Sequence, residues 1–190
     1  INSSGLLTST TIDATALTGN LPAIDGSNLT GLSSGLTEAD QWRLTTNTSL
    51  STGDTILTAN WERVDTGGFD KIGTGMTESS GIFTFPSTGY WLITCSMVFG
   101  GVDTGARGIV NYINTTVDDG SNWVEVTEPH GNHFDGMSSY TSIVAEFLFD
   151  VTSVSTHKVK FSLYTSEATT LKGVTAKNQT SVTFLRLGDT

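Results

Sequence analysis

Basic residues are scarce in this chain, and their scarcity limits the partners it can have. Of 190 residues only nine are Lys or Arg, against 19 Asp or Glu, so the formal net charge is -10. Binding to nucleic acid needs a cluster of basic side chains that displaces counterions from phosphates, and the sequence has no such cluster. The same lack disfavours an anionic lipid surface. No apolar run approaches the roughly 20 residues of a membrane span, so we expect neither nucleic-acid binding nor membrane insertion.

Cysteine is nearly absent as well, since Cys95 is the only one. No intrachain disulfide can form, and Cys95 shares a period-two face with Trp91, Ile93 and Met97, which predicts a buried, inert thiol. No signal peptide is visible, and because the chain begins at Ile1 rather than Met we expect a fragment or a processed product.

Charged residues make up only 15% of the chain, and runs of strong helix formers are rare. Short β-branched and aromatic runs recur instead, about 8–12 residues apart with turn residues between them, which predicts an all-β sandwich or jelly roll. The exception is 37–44, where Thr37 with Asp40 forms an imperfect capping box and predicts a short helix. We therefore divide the chain into a repetitive segment (1–36), a short helix and connector (37–54) and a head (55–190).

The head is organised around Gly81–Phe99, where two strand patterns flank the turn Pro86–Gly89. After the turn, Trp91 begins an apolar face with period two, and the opposite face, from Tyr90 and Leu92 to Val98, is largely apolar too. An antiparallel strand normally exposes one face to water. A strand that is apolar on both faces predicts a core on one side and another subunit on the other. The candidates for a trimer interface are Tyr90, Trp91 and Leu92.

The first 36 residues contain an internal repeat. The pattern I-D-x-x-x-L-T-G begins at Ile12 and again at Ile24. A unit this short cannot bury its own Ile and Leu, so one interpretation is a trimeric fibre shaft in which three chains pool them along an axis. The other is a flexible linker rich in Gly, Ser and Thr.

Two motifs in the head resemble those of a known family. The stretch F-T-F-P-S-T-G-Y-W-L (83–92) resembles the central motif of C1q-like head domains, relatives of the tumour-necrosis-factor (TNF) cytokines. The segment S-V-T-F-L-R-L (181–187) is similar to that family's last strand, which returns to the centre of its sheet. The resemblance implies a ten-stranded jelly roll that associates as a homotrimer, and it leaves 100–140 unmatched.

A second resemblance concerns the predicted helix and the start of the head. The stretches E-A-D-Q-W-R-L (38–44) and N-W-E-R-V (60–64) are similar to fibre and appendage proteins of marine bacteriophages. This implies a place on a virion, as an extracellular appendage that contacts other virion proteins through its N-terminal side.

Few residues suggest chemistry. His130 and His133 form the only closely spaced histidine pair, but a structural zinc site needs further ligands that the sequence does not supply nearby. Asp118–Asn122 resembles part of a calcium loop and lacks a distal Glu at the right spacing, although some C1q-like heads bind calcium. No nucleophile elbow, phosphate loop or dinucleotide fingerprint occurs. We expect no catalytic residues, no metal and no cofactor.

Exposed aromatic rings can bind sugars through their apolar faces. Trp123 and Phe134 lie in or beside loop-rich sequence, so they join His130 and His133 as candidates for receptor contact. The alternative is a core position, which we favour for Trp123 and weigh evenly for Phe134. The sequence thus predicts a non-enzymatic trimeric fibre tip that attaches to a host-cell glycan or protein. The alternatives are a trimerisation cap without receptor binding and, third, a polysaccharide depolymerase.

Overall fold

The computed structural model describes residues 35–100, 107–132 and 139–190. Ser34–Thr190 forms one compact unit. The repeat that predicts a shaft, His133 and Phe134 all lie outside the described residues. No described segment forms an apolar helix of membrane-spanning length.

The described chain is all β, and its strands follow short runs of β-branched and aromatic residues. Seven of the strands have only two or three residues, so their number exceeds the ten that the resemblance implies. The strands of the described residues are β1 (Ala39–Leu44), β2 (Thr48–Leu50), β3 (Gly53–Ile56), β4 (Trp61–Arg63), β5 (Thr77–Ser79), β6 (Ile82–Thr84), β7 (Gly89–Gly100), β8 (Ile109–Thr116), β9 (Val124–Glu125), β10 (His130–Gly131), β11 (Tyr140–Val151), β12 (Lys158–Thr165), β13 (Thr169–Leu171) and β14 (Ser181–Gly188).

Two antiparallel sheets form a sandwich. The first, which we call the β7 sheet, has the order β2-β13-β7-β14-β1-β4, with β11 paired along β7. The second, the β12 sheet, has the order β10-β8-β12-β6-β5, with β3 also on β12 and β9 also on β8. The closing strand β14 lies between β7 and β1, which confirms the expectation that it returns to the centre of its sheet.

The core lies between the sheets and is rich in aromatic rings. The predicted inward face of β7, from Trp91 to Phe99, has no exposed surface. Phe83 of β6 packs edge-on against Trp61 at 5.5 Å between ring centroids, and it also contacts Phe161 at 5.6 Å. Such pairs add to the free energy gained by apolar burial. Cys95 is buried among these groups, and burial raises the pKa of its thiol to about 12, as expected of an inert cysteine.

The turn before β7 requires glycine. Gly89 has φ 137°, and a Cβ at this position would lie 2.4 Å from the carbonyl oxygen of Gly188. Only glycine fits this close approach to β14. The start of the central strand is therefore held against the end of the last strand.

The helix predicted for 37–44 is wrong, because this stretch is strand β1. β1 pairs with β14 over Ala39–Arg43 and with β4 over Trp42–Leu44, so its backbone hydrogen bonds go to two neighbours. The side chains of β1 alternate between the two faces of the sheet. On the inward face, the indole of Trp42 packs edge-on against Phe83 across the core. Thr37, read as a helix cap, instead accepts a hydrogen bond from Arg186. Tertiary pairing outweighs the weak local capping signal.

Residues 55–64 alternate at Leu57, Ala59 and Trp61, which predicts one strand, but they belong to two strands on different sheets. β3 (Gly53–Ile56) pairs with β12, whereas β4 (Trp61–Arg63) pairs with β1. Asn60 lies between them with φ 66°, a left-handed conformation that asparagine tolerates. The stretch predicted as helix and connector, 37–54, thus supplies β1, β2 and the start of β3 to the sandwich.

Candidate functional site

The outward face of the β7 sheet is apolar at its centre. The register places Leu92 of β7 between Leu148 of β11 and Leu185 of β14. Leu148 is 53% exposed, and Val144 on the same strand is 51% exposed. Next to this row, Thr94 lies opposite Glu146 and its hydroxyl donates to that carboxylate, while Ser96 lies opposite Val144. Leu92 and Leu185 are half-buried, so this row of leucines is partly open to water. An apolar row in the middle of a sheet is typical of an interaction surface.

The three residues predicted for an interface divide between the two faces. Tyr90 is 41% exposed and Leu92 is half-buried, and both point away from the core. Trp91 has no exposed surface, and its ring packs on Phe85 at 5.2 Å between centroids. A side chain inside the sandwich cannot contact a second chain, so the structure removes Trp91 from the interface candidates.

The paired motifs at the start of the head build a buried charge cluster. The carboxylate of Asp40, 1% exposed, accepts hydrogen bonds from the guanidinium of Arg63 and from the indole of Trp42 at 2.9 Å. It also accepts one from the backbone N–H of Met76 at 2.8 Å. Arg63 in turn lies 4.7 Å from the centre of the Trp42 ring. A buried carboxylate is tolerated because every neighbour donates to it.

Arg43 forms the second half of this cluster. Its guanidinium is 1% exposed and donates to Glu62 at 2.7 Å, to Asp65 at 2.8 Å and to the hydroxyl of Thr66 at 2.8 Å. The β1–β4 register places Arg43 directly opposite Glu62. The residues that carry the resemblance to fibre proteins are therefore structural: they hold β4 and the chain after it against β1.

A groove of about 550 Å³ crosses the outward face of the β12 sheet. Its walls come from β3, which supplies Asp54 and Ile56, and from the segment around β9. The complete lining is Asp54, Ile56, Asn114, Trp123, Val124, Glu125, Lys160 and Ser162. Its volume is in the range of small-ligand sites, about 300–1,000 Å³.

Trp123 lies at one end of this groove, half-buried, so the interpretation as a core residue is wrong. The ammonium of Lys160 lies 4.2 Å from the centre of its ring, in the range of a cation–π contact. Loss of hydration lowers the pKa of Lys160, and the negative charge of Glu125 works against that shift.

A second, smaller groove of about 290 Å³ adjoins the first and shares Glu125 with it. Tyr112 of β8 lines it beside Thr127 and Glu128. Partial burial raises the pKa of Tyr112, and the nearby carboxylates of Glu125, Glu128 and Asp54 raise it further. The outward face of this sheet is therefore electronegative around its grooves.

Of the predicted receptor residues, the structure describes His130 and Trp123, and it does not bring these two together. His130 lies in β10 opposite Val110, near the start of β8, with its side chain 64% exposed and its ring nitrogen 3.5 Å from Glu128. Trp123 precedes β9, which pairs with Asn114 and Thr115 near the other end of β8. Val110 and Asn114 are four residues apart on β8, which corresponds to about 13 Å along the strand. Sequence reasoning missed the residues that share the groove with Trp123, because Asp54 and Lys160 come from strands distant in the chain.

The segment that resembles part of a calcium loop, Asp118–Asn122, is a turn in which nearby residues donate hydrogen bonds to the carboxylate of Asp118. Asp118 accepts hydrogen bonds from the hydroxyl of Thr116 at 2.7 Å and from the backbone N–H and side-chain amide of Asn122. These donors, with the amide of Asn122 contributing most, lower the pKa of Asp118 to about 2. Asp119 pairs with Lys158. Within the described ranges, no group of three or more His, Cys, Asp or Glu side chains is placed to hold a metal ion.

Comparison with solved structures identifies the fold. Eiger TNF from S. frugiperda is 10% identical, with a TM-score of 0.59 over 82% of this chain and 96% of that chain. Murine APRIL at pH 8.0 is 14% identical, with a TM-score of 0.54 over 79% of this chain and 98% of that chain. The globular domain of zebrafish complement 1qA protein is 8% identical over 80% of this chain and 99% of that chain, with a TM-score of 0.48.

The first two likenesses confirm a jelly roll of the TNF type, and at such low identity they show the fold alone. No family model matches the chain. No curated protein matches it either.

Proposed function

We propose that the chain is the trimeric, non-enzymatic head of a virion fibre and that it attaches to a glycan or protein of the host-cell surface. The observation that supports this most is the unpartnered leucine row of Leu92, Leu148 and Leu185 on the β7 sheet. Two further copies of this chain are the occupants that we propose for this face, because the resemblance of the central motif implies a homotrimer.

A virion location rests on the paired motifs that resemble phage fibre and appendage proteins. In this proposal the N-terminal side of the chain contacts other virion proteins, and the head is exposed outside the particle. Trimeric presentation repeats each receptor site three times, so weak single contacts become strong attachment through avidity.

The receptor contacts that we propose come from segments at or near 101–107, 118–123 and 129–138, because loops held by a rigid scaffold are common binding elements. Trp123 lines the groove on the β12 sheet, and His130 is exposed beside Glu128, so both are accessible in the single chain. His133 and Phe134 complete the proposed set.

The experiment is cell binding by the fluorescently labelled head. The triple variant His130→Ala, His133→Ala, Phe134→Ala should keep the molar mass of the parent and lose most of its binding to host cells. Asp70→Ala, an exposed residue away from these segments, serves as the matched control and should bind like the parent.

Unchanged binding by the triple variant would remove these residues from the contact site. If the parent head itself binds no host cell, the proposed attachment role is wrong, and the alternative of a purely structural trimerisation cap is favoured. Release of sugar from host polysaccharide would instead establish a depolymerase.

A further inference from the structure

The groove on the β12 sheet exists because short side chains stand at the centre of its outward face. On β12 the outward residues are Lys158, Lys160, Ser162 and Tyr164, and Ser162 is the only short one of the four. The amide of Asn114 on β8 donates to the hydroxyl of Ser162 at 2.7 Å. Both residues are more than nine-tenths buried and line the groove, so they form a polar floor.

Two walls rise on either side of this floor. Asp54 and Ile56 come from β3, which pairs with β12, while Val124 and Glu125 come from β9, which pairs with β8. Three inter-strand spacings separate β3 from β9, a width of about 14 Å. Each wall therefore combines one carboxylate with one exposed aliphatic side chain: Ile56 is 49% exposed and Val124 is 59% exposed.

Lys160 and Trp123 close one end of the groove. Within the part of the chain that the structure describes, Lys160 belongs to no ion pair, although its ammonium is held over Trp123 and is partly removed from water. This ammonium has spare N–H donors and lines the same groove as the carboxylates of Asp54 and Glu125, so the groove offers both donors and acceptors. Since Lys160 covers a face of the Trp123 ring, this ring acts as a wall of the groove and not as a free stacking platform.

We propose that this groove is a binding site for a neutral hexose ring of a glycan. A hexose presents hydroxyl groups around its rim and apolar C–H groups on its faces. Asp54 and Glu125 accept hydrogen bonds from its hydroxyls, Lys160 donates to them, and Ile56 and Val124 contact the C–H groups.

Charge selects against an acidic sugar. The groove has two carboxylates against one ammonium, and the whole chain has a net charge of -10. An anionic ring would be repelled by both. The inference rests on the proposed attachment role, because it names the class of receptor.

The test uses the full chain with its tryptophans labelled with ¹⁵N, so that the indole N–H groups of Trp42, Trp61, Trp91 and Trp123 give four NMR signals. The Trp123→Phe variant assigns the fourth signal by its loss. The probes are the methyl glycosides of glucose, galactose and mannose, with methyl glucuronide as the anionic counterpart. For ligands of this size we expect a Kd of about 1 mM.

The expected result is a saturable shift of the Trp123 signal with at least one neutral glycoside, while the buried Trp61 and Trp91 signals stay unchanged. Asp54→Asn and Glu125→Gln should each weaken binding by about tenfold, because each removes a charged acceptor. Asp70→Asn, an exposed carboxylate away from the groove, is the control and should bind like the parent. Absence of any shift with all three neutral glycosides, or a stronger shift with the glucuronide, would overturn the proposal.

Cell binding separates this inference from the attachment role. If Glu125→Gln binds host cells as the parent does and no glycoside shifts Trp123, the groove proposal fails and the attachment role stands. If the glycosides bind and the parent head attaches to no cell, the groove proposal stands and the attachment role fails.

Discussion

Replacing Asp40 with alanine should destabilise the head more than any other change to a single carboxylate described above. Asp40 is 1% exposed and receives hydrogen bonds from Arg63, from the indole of Trp42 and from the backbone N–H groups of Gln41 and Met76. The alanine variant leaves these donors without their acceptor. Met76 is itself 1% exposed, so its N–H cannot turn to water.

The magnitude follows from these contacts. Breaking a buried ion pair by removing one partner costs about 3–5 kcal/mol. The side chain of Arg63 is 34% exposed and recovers part of its hydration, which favours the lower end, about 3 kcal/mol. For a domain of this length each kcal/mol lowers the melting temperature by about 2–4 °C, so we expect a decrease of about 6–12 °C.

Urea unfolding followed by tryptophan fluorescence measures this loss. All variants must be compared at one protomer concentration, because association of chains contributes to apparent stability. Asp70→Ala removes an exposed carboxylate and should change the free energy of unfolding by less than about 0.5 kcal/mol. A loss below about 1 kcal/mol for Asp40→Ala would refute the structural role that we assign to the paired motifs.

Three further predictions concern other parts of the chain. Trp91→Ala should lower the free energy of unfolding by about 3–5 kcal/mol in the same urea assay, because it leaves a cavity in the core. A well-folded monomer of near-parental stability would contradict this. In an NMR titration, the carboxyl group of Asp118 should have a midpoint near pH 2, below its ordinary 3.8, so the turn gains stability from its ionised form at neutral pH and loses it as the pH falls through about 2; a midpoint near 3.8 would argue against the turn. Deleting 1–36 should leave the head folded and trimeric, with a modest loss of thermal stability if the repeat forms a shaft; sharp, disordered NMR signals from this segment in the intact protein would establish the linker.

Period-two patterns predicted the strands at the centre of the sandwich well. The run from Trp91 to Phe99 alternates so regularly that its buried face could be read directly. In β11 the apolar residues Ile143, Ala145, Phe147, Phe149 and Val151 also alternate, and this is the face that the structure turns inward. The turn at Pro86–Gly89 was predictable too, since proline and glycine encode it locally.

The predictions from sequence failed where pairing between strands distant in the chain determines the structure. The cap-like spacing of Thr37 and Asp40 predicts a helix where the structure has β1, because nothing local reveals that Asp40 forms an ion pair with Arg63 of β4. The groove could not be predicted for the same reason. Its carboxylates, on Asp54 and Glu125, come from strands separated by β12 and β8, and only the fold brings them to one surface.

Two matched variants test whether the leucine row of the β7 sheet forms the trimer interface. Leu148→Asp would place a charge in the proposed interface, where it has no partner, and should dissociate the trimer. Val154→Asp changes an apolar residue that is 38% exposed and lies outside β11 and the leucine row, so it should leave assembly intact.

The molar mass in solution, measured by light scattering at micromolar concentration, tests the central claim most directly. Three chains of 20.1 kDa give a particle of about 60 kDa, which is the result expected for the parent and for Val154→Asp, with a lower mass for Leu148→Asp. A stable, monodisperse parent of 20.1 kDa would contradict the account.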